Sequence, residues 1–392
     1  MLKNVYLAGA ARTAIGGFGG AFAEVPATSL GSAAIRAALQ KAGVSNDAVD
    51  EVIFGNVLGA GLGQNPARQA SIGAGLNPSV GATTVSKVCG SGLKAVMLAA
   101  QAIQCGDANV IVAGGMENMS RAPYLLDKAR MGYRMGDGEL IDSMVRDGLW
   151  DAYSNVHMGA CGDRCAARFN FSREQQDDFA VNSYRRALEA ARSGAFADEI
   201  VAVSAPAGKQ TVTISDDEQP RRFNEEKLRQ LRPAFSKDGT ITAGNASGIN
   251  DGAAALVCLS AERAKVLEVK PEAKILGYLT ASREPEWFTI APVDALANLM
   301  GKLHLTVADV DLFEINEAFA VVTMAAMKEL NIPHDKVNVH GGAVALGHPI
   351  GASGARTLVT LLHAMKRRNV RIGITTLCIG GGEAVAMAIE LI

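Results

Sequence analysis

Three short segments of the sequence pair a reactive side chain with glycines. Cys89 lies in the first, Val-Cys-Gly-Ser-Gly, after a strand-like run and at the start of a helical pattern. Free amides and a partial positive charge at a helix N-terminus stabilise a thiolate, so we expect the pKa of Cys89 to lie below its usual value of about 8.5. A buried, inert cysteine is the alternative interpretation. Cys89 is therefore a candidate nucleophile.

The other two segments lie near the C-terminus. His348, in Gly-His-Pro-Ile-Gly, precedes a helical pattern, and it is a candidate base because a thiol nucleophile needs one nearby. It could instead be a structural histidine. Cys378 precedes three glycines that begin at Gly380, and their exposed amides could form an oxyanion hole. A second cysteine at such a turn fits a reaction with a further proton abstraction.

A fourth candidate is Asn316, which ends an apolar run similar to residues 49–56. An asparagine at this edge of a sheet can hold a water molecule or donate a hydrogen bond. It could also cap a helix predicted over residues 318–328, and the two roles are compatible.

These candidates occupy related places in two copies of one pattern. Ser91 and Ser353 each lie in a run of small residues at the start of a helical pattern, and they are 262 residues apart (353 − 91). The same offset separates the strand-like runs that begin at Val110 and Ile372. Each copy reads helix, strand, long loop, helix, strand, which predicts an α/β layered architecture. An approximate twofold axis between the copies would bring the candidate nucleophile and base together.

A polar, arginine-rich stretch separates the two copies and matches neither. Its clearest helix is predicted over residues 172–192, where Ser172 and Gln175 resemble a capping box. We interpret the stretch as an inserted loop domain that carries binding residues. The predicted division is residues 1–118 with 251–270 as an N-terminal core half, 119–250 as the insertion, and 271–392 as a C-terminal core half.

Composition excludes several classes of protein. A chain of 392 residues with 48% hydrophobic content is too long for one ordinary core, so two or more packed units are expected. The net charge of −2 lacks the basic excess of a nucleic-acid-binding protein. We find no run of about 18 apolar residues, so no membrane association is expected. Six cysteines without a recognisable targeting signal predict free thiols in the cytoplasm. Cys161 and Cys165 lack a matching ligand pair, so no metal site is expected. The glycine run 59–63 lacks the spacing of a dinucleotide-binding loop.

The reactive segments together resemble the thiolase family over essentially the whole chain. The resemblance is carried by VCGSGL (88–93), GGMENMS (114–120), AGNASG (243–248), NEAF (316–319), GHP (347–349) and CIGGG (378–382). It implies a duplicated α/β/α/β/α layered fold with an inserted loop domain. It also implies ping-pong acyl transfer between coenzyme A thioesters without a cofactor or metal. The expected reaction converts two acetyl-CoA molecules to acetoacetyl-CoA and CoA, and also runs in reverse.

The resemblance assigns a role to each candidate. Cys89 attacks a thioester and becomes acylated, while His348 takes the thiol proton and helps to bind the thioester oxygen. Asn316 positions a water molecule in that oxyanion hole. Cys378 exchanges a proton with the methyl carbon of the second acetyl-CoA. The backbone amides of Cys89 and Gly380 form a second oxyanion hole.

The resemblance also places coenzyme A against the insertion. The positions that match the pantetheine channel, the acyl pocket and the adenine end are His157, Met158, Phe235, Ser247, Phe288, Ala318, Phe319 and Arg221. The adjacent Arg222 leaves the register at the adenine end open, and both arginines could be solvated surface residues. Met158 would cap the acyl pocket. A homodimer is implied, with residues 121–142 pairing dimers into a homotetramer.

Three alternatives share the fold. A degradative 3-ketoacyl-CoA thiolase of longer chain preference is disfavoured by the His157-Met158 pair. A decarboxylating ketoacyl synthase would carry His or Asn in place of Cys378. A non-catalytic, thiolase-like acyl- or lipid-binding protein would have lost a reactive residue. Two segments, 160–165 and 287–292, depart from common family patterns, and the second leaves the acyl preference open, including tolerance of a 2-methyl branch.

Overall fold

The computed structural model describes residues 3–392. The strands are β1 (Val5–Thr13), β2 (Gly16–Gly17), β3 (Glu51–Gly55), β4 (Gly81–Val85), β5 (Val110–Asn118), β6 (Tyr124–Leu125), β7 (Ile141–Asp142), β8 (Trp150–Asp151), β9 (Val156–His157), β10 (Ile200–Val201), β11 (Val203–Ala207), β12 (Gln210–Ile214), β13 (Asn250–Ser260), β14 (Ala273–Ser282), β15 (Leu312–Ile315), β16 (Ile372–Ile379) and β17 (Glu383–Leu391). The helices are α1 (Ala27–Ala42), α2 (Pro66–Gly73), α3 (Ser91–Cys105), α4 (Met158–Phe169), α5 (Arg173–Arg192), α6 (Glu225–Arg229), α7 (Ala261–Val266), α8 (Ala291–Leu303), α9 (Ala320–Leu330), α10 (Ala343–Leu346) and α11 (Ile350–Arg368).

The main sheet repeats one arrangement of strands. Its order is β15-β16-β17-β14-β1-β13-β5-β3-β4, with β10 beside β1 and β2 beside β13. β3 is parallel to β4 and β5, as β15 is parallel to β16, while the other neighbours along this path are antiparallel. The two halves meet where β1 pairs with β14. The predicted offset is confirmed, because β5 begins at Val110 and β16 at Ile372.

Helices and sheet halves form the predicted layers. The central helices α3 and α11 pack against each other and share one apolar core with the inner faces of both sheet halves. α1 and α2 contact the outer face of the first half, where a second apolar cluster lies. α8 covers the second half over a third cluster and packs against α9. The α/β layered class predicted from the repeat is confirmed.

The central layer explains the apolar character of its helices. Every residue of α11 from position 350 to 365 is buried, as expected of a helix covered on all sides. The segment Val88–Cys105, which contains α3, has a mean hydropathy of 1.2 and is long and apolar enough to cross a membrane. The segment is not an uninterrupted apolar run, because it contains Ser91, Lys94, Gln101 and Gln104. Most of this segment is buried in the core, where an apolar helix is also expected.

The inserted stretch contains α4, α5, α6 and three two-stranded sheets. The capping box predicted at the start of α5 is confirmed, with Ser172 and Gln175 bonding each other's backbone. Arg12 on β1 ties this stretch to the core. Its guanidinium is fully buried and pairs with Glu199 at 2.6 Å and with Asp217 at 2.7 Å. The boundaries proposed for the domains remain a prediction.

Candidate active site

Cys89 lies in a tight turn two residues before α3. The amide of Gly90 donates to the carbonyl of Lys87 at 3.0 Å, and that of Ser91 donates to the carbonyl of Val88 at 3.1 Å. Val88 has a φ of 46°, which a β-branched residue rarely adopts. Such conformations cost roughly 1–3 kcal/mol and concentrate at functional sites. The backbone is therefore strained immediately before the candidate nucleophile.

The thiol of Cys89 is enclosed and receives two backbone donors. It is 4% exposed, and the amides of Gly380 and of Cys89 itself donate to the sulfur. Burial nevertheless raises the pKa of Cys89 to about 11, and the two amides offset this only in part. The expectation of a lowered pKa was wrong because desolvation outweighs the donors at this site. The resting thiol is protonated, so its reaction requires a base.

His348 has one ring nitrogen fixed and the other free. Its Nδ1 lies 2.5 Å from Oγ of Ser353, and that hydroxyl donates to the carbonyl of Pro349 at 2.8 Å. Because the serine has a single proton, we assign the Nδ1 hydrogen to His348, which donates it to Ser353. Nε2 is buried and has no partner within residues 3–392. Burial lowers the pKa of His348 to about 3, so the ring is neutral and Nε2 can accept a proton.

The sequence pattern identifies Ser353 as part of the repeat but does not predict a role for it in the site. Its counterpart, Ser91, makes a similar contact in the other half, accepting from the amide of Lys87 at 2.8 Å and donating to the carbonyl of Val88 at 2.7 Å. Both serines thus secure the turn that precedes a central helix. Aligning the two copies residue by residue was the signal that could have identified Ser353.

The two central helices bring their N-termini together. A Cβ on Gly92 would lie 2.7 Å from the amide of Ala355 and 3.1 Å from the carbonyl of Gly351, so only glycine permits this approach. Cys89 and His348 each precede their helix by two residues, so they lie at the same end of the packed pair. The structure therefore brings the candidate nucleophile and base to one place.

The N-terminus of α11 is also held by buried polar groups. Asn250 Oδ1 accepts the amide of His348 at 3.0 Å, and Glu117 accepts the amide of Gly351 at 3.0 Å. Glu117 also accepts the amides of Val57 and Leu58. Burial raises the pKa of Glu117 to about 7, and these three amides act against that shift. The anchoring residues come from β5, β13 and the loop after β3.

Cys378 and Asn316 complete the cluster. Cys378 is fully buried near the end of β16. Its pKa is raised, chiefly by burial and secondly by the neighbouring Cys89. Asn316 is fully buried, and neither its Oδ1 nor its Nδ2 has a partner in the described chain. It is not a helix cap, since α9 begins at Ala320 after an extended Phe319. Its free amide group is available to a ligand or a water molecule.

Most of the residues matched to the acyl pocket and pantetheine channel lie in one cluster beside Cys378. His157 stacks on Phe235 with ring centroids 4.5 Å apart, and Phe235 meets Phe319 edge-on at 6.2 Å. A Cβ on Gly380 would lie 3.0 Å from the terminal methyl of Met158. The buried members of this cluster include Met158, Phe288, Ala318, Phe319, Cys378, Cys161 and Cys165. The last two cysteines are core residues, and residues 3–392 contain no group of side chains suited to a metal ion.

Two matched positions differ in their surroundings. The amide of Ser247 donates to the carbonyl of Ala318 at 3.0 Å, so Ser247 adjoins the cluster. Arg221 lies apart from it, in a surface turn, where it pairs with Asp216 at 2.6 Å and lines a cavity of about 560 Å³. Arg222 pairs with Glu218. Their pairing with carboxylates agrees with the surface interpretation, so the adenine end stays a prediction.

Comparison with known proteins agrees with this geometry. The thiolase N-terminal domain matches residues 5–262, and the thiolase C-terminal domain matches residues 269–391. An acetyl-CoA acetyltransferase of Escherichia coli (strain K12) is 53% identical, and the alignment covers 99% of each chain. The acetyl-CoA acetyltransferase of Bacillus anthracis superimposes with a TM-score of 0.97 at 42% identity, over 100% of this chain and 99% of the other.

A second solved structure is that of the Acat5 thiolase from Ascaris suum in complex with coenzyme A. It matches with a TM-score of 0.94 at 43% identity over 100% of both chains. Sequence and structure thus agree from end to end, on a fold that joins two cysteines and a histidine from both halves of a repeat. The chain belongs to the thiolase family.

Proposed function

We propose that the protein is an acetyl-CoA C-acetyltransferase, which condenses two acetyl-CoA molecules to acetoacetyl-CoA and CoA and catalyses the reverse thiolysis. The observation that carries this proposal is the position of the Cys89 thiol, beneath the amides of Gly380 and Cys89 and beside Cys378. A nucleophile, two donors and a second thiol are the groups that a Claisen condensation requires. The names of the similar proteins from E. coli and B. anthracis support the same activity.

In the first half-reaction, Cys89 is acetylated. His348 Nε2 accepts the thiol proton as the sulfur attacks the acetyl carbonyl, because both groups are neutral at rest. The C–S bond to coenzyme A then breaks, and the departing sulfur receives that proton. Nδ2 of Asn316, a water molecule, and Nε2 of His348 once it holds the proton can donate hydrogen bonds to the thioester oxygen as it becomes negative.

In the second half-reaction, the thiolate of Cys378 removes a proton from the methyl carbon of another acetyl-CoA. The resulting carbanion attacks acetyl-Cys89, forming the new C–C bond and releasing the Cys89 thiolate. The amides of Gly380 and Cys89 bind the oxygen that becomes negative in this step. The Cys89 thiolate recovers the proton held by Cys378, so the cycle closes without any other reactant.

The stacked His157 and Phe235, together with Ser247 and Phe319, form the wall that we assign to the pantetheine arm.

The proposed activity can be tested by measuring thiolysis. Protein given acetoacetyl-CoA and CoA should form acetyl-CoA in a two-to-one ratio to acetoacetyl-CoA consumed. Binding of acetoacetyl-CoA without turnover would instead support a non-catalytic acyl-binding protein.

We expect Met158→Ala to broaden the acyl chain length that the enzyme accepts. Met158 is 8% exposed and faces Gly380, so it can fill the end of the acyl pocket. Each methylene accommodated contributes about 0.8 kcal/mol, so a two-carbon extension should gain about tenfold in relative kcat/KM. The measurement compares thiolysis of acetoacetyl-CoA with that of 3-ketohexanoyl-CoA.

The matched control is Met300→Ala, which truncates a methionine of similar exposure, 6%, on the buried face of α8. It should lower stability without changing the ratio of the two substrates. A parent enzyme that cleaves long-chain substrates as fast as acetoacetyl-CoA would show that Met158 is not the cap. That result would favour a degradative 3-ketoacyl-CoA thiolase. Retention of selectivity in Met158→Ala would assign the closure to Phe288 or Phe319.

We expect Ser353→Ala to slow acetylation of Cys89. The Ser353 hydroxyl accepts the Nδ1 hydrogen of His348, and this bond strengthens when the ring becomes charged. A hydrogen bond to a charged group contributes about 1.5–3 kcal/mol, which corresponds to a loss of roughly 10- to 100-fold in rate. Rapid-quench measurement of acetyl-enzyme formation tests this step.

Thr357→Val is the control for Ser353→Ala. It removes another buried hydroxyl from α11, one that bonds the carbonyl of Gly354 and Thr375. Both variants should lose some stability in denaturant melts, whereas only Ser353→Ala should slow acetylation. Equal rates in the two variants would exclude a positioning role for Ser353.

We further propose a cytoplasmic homotetramer. The part of the insertion between α3 and α4 that was assigned to oligomerisation exposes large apolar side chains, among them Tyr124, Met131, Met135 and Leu140, which are 62%, 88%, 95% and 66% exposed. Exposed apolar residues of this number mark an association surface. Sedimentation of the protein should give a tetramer, and polar substitutions at Met131 and Met135 should reduce it to dimers.

A further inference from the structure

A second cavity lies at the opposite end of α11 from His348. Its volume is about 510 Å³, and its wall includes Arg185, Arg186, Glu189, His340, Arg367 and Arg368. α11 contains 19 residues, which at about 1.5 Å per residue makes it about 28 Å long. This cavity is thus remote from Cys89 and shares no residue with the acetyl-transfer machinery described above.

The cavity concentrates positive charge in a chain whose net charge is −2. Arg185 is neutralised by Glu225 at 2.7 Å. The other three arginines of the wall form no ion pair within residues 3–392, and Glu189 is the one carboxylate that lines the cavity with them. Within the cavity wall, three guanidinium groups without an ion pair face one carboxylate, which leaves a local excess of about two positive charges.

Backbone contacts hold two of these arginines in place. Arg186 donates to the carbonyls of Val337 at 2.6 Å and His334 at 3.1 Å, and Arg367 donates to the carbonyl of Ser193 at 3.0 Å. Carbonyls orient a guanidinium without neutralising it. Burial lowers the pKa of Arg186 and Arg368 acts in the same direction, whereas the carboxylates of Glu317 and Asp335, which do not line the cavity, raise it. Arg186 and Arg368 therefore repel one another in a partly desolvated space, and an anion in the cavity would relieve that repulsion.

His340 adds a polar group without a partner. The side chain is 8% exposed, packs edge-on against Phe196 at 5.9 Å, and forms no hydrogen bond in the described chain. Burial lowers the pKa of His340, so the ring is neutral at pH 7 and carries one N–H donor. A buried imidazole without a partner, in the wall of a basic cavity, is a further donor for an anionic ligand.

We propose that this cavity binds a phosphate-bearing small molecule, held by Arg186, Arg367 and Arg368 with His340 as an additional donor. A phosphate dianion matches the excess charge, and the planar guanidinium fork fits its oxygens in pairs. The volume falls in the range of about 300–1,000 Å³ typical of ligand sites, so an organic group can accompany the phosphate. The proposal is independent of the acetyl-transfer reaction.

Calorimetric titration of the full-length protein tests the proposal with three probes: inorganic phosphate, pyrophosphate and ADP. Arg367→Gln/Arg368→Gln should weaken binding of pyrophosphate by at least about tenfold, since each charge-assisted bond is a substantial part of the affinity. Arg368→Gln alone should weaken it too, and it is the safer variant because the Arg368 side chain forms no hydrogen bond or ion pair with residues 3–392. Binding of phosphate and pyrophosphate alone would identify a free inorganic ligand, whereas tighter binding of ADP would identify an organic phosphate.

The control is Lys265→Gln/Lys270→Gln, which removes the same charge from exposed positions on and after α7. It should leave the affinity for pyrophosphate unchanged. The proposal is overturned if this control weakens binding as much as the arginine variants do, because the effect would then be one of net charge. It is equally overturned if the wild-type protein binds none of the three probes, or if folded Arg368→Gln and the double variant bind them like the wild type.

Discussion

Cys89→Ala should abolish acetyl transfer in both directions, with turnover falling on the order of 10⁴-fold or more, as for other enzymes that lose a covalent nucleophile. His348, Gly380 and Cys378 would all remain, but none can replace the sulfur that carries the acetyl group. The wild-type protein incubated with acetyl-CoA should gain the mass of one acetyl group on the peptide that contains Cys89, and the variant should gain none.

Two other cysteines serve as controls for the assignment of Cys89 as the nucleophile. Cys105 is exposed and Cys258 is fully buried, so both an accessible and an enclosed thiol serve as internal controls. Cys258→Ala should retain acetylation and turnover. Acetyl groups on Cys105 or Cys258 in place of Cys89 would show that the nucleophile has been assigned wrongly.

Cys378→Ser should separate the two half-reactions. The variant should still acetylate Cys89, because His348 accepts the thiol proton in that step, but condensation should fall on the order of 10²- to 10⁴-fold, the usual contribution of a general base. A serine hydroxyl fills the same space and is far too weak an acid to provide the base. Acetyl-enzyme formation by mass spectrometry and acetoacetyl-CoA formation by absorbance measure the two steps.

The pH dependence provides a second readout. Burial and the neighbouring Cys89 raise the pKa of Cys378, so its thiolate is scarce at neutral pH and becomes more abundant as pH rises. Condensation by the wild-type protein should therefore accelerate with rising pH, whereas acetylation by the neutral Cys89–His348 pair should change little. Cys165→Ser, in the same buried cluster, should behave like the wild type. Equal loss of both half-reactions in Cys378→Ser would indicate a structural role for Cys378.

The sequence was sufficient to predict the layers and to select the candidate residues that the fold brings together, because both depend on local pattern. The repeat relating Ser91 to Ser353 predicted that two helix starts would meet, and glycines such as Gly92 allow that contact. Glycine, cysteine and histidine can each be recognised by their chemistry in the sequence before the fold is known. The equivalence of the two halves then placed Cys89 near His348.

The properties that the sequence did not predict correctly depend on the tertiary surroundings of the residues. The pKa of Cys89 was expected to fall because the helix terminus is visible in the sequence, whereas the burial that reverses the shift is not. The prediction that Asn316 caps a helix was wrong because the turn at residues 316–319 delays the start of the helix to Ala320. No residue type in the sequence marks that delay. The basic cavity combines α5, α11 and the loop that contains His340, so its arginines look unrelated along the chain.

The packing of α3 against α11 also constrains how the molecule assembles. Each central helix is covered on one side by its own half of the sheet and on the other by the opposite half. A folding intermediate with only one half formed would expose an apolar helix, and the half that positions either Cys89 or Cys378 would be unfolded. During refolding, activity should therefore return only when the two halves dock, at the rate of the slowest folding phase. For the same reason, an ancestral single repeat would have needed a second copy of itself to bury that helix.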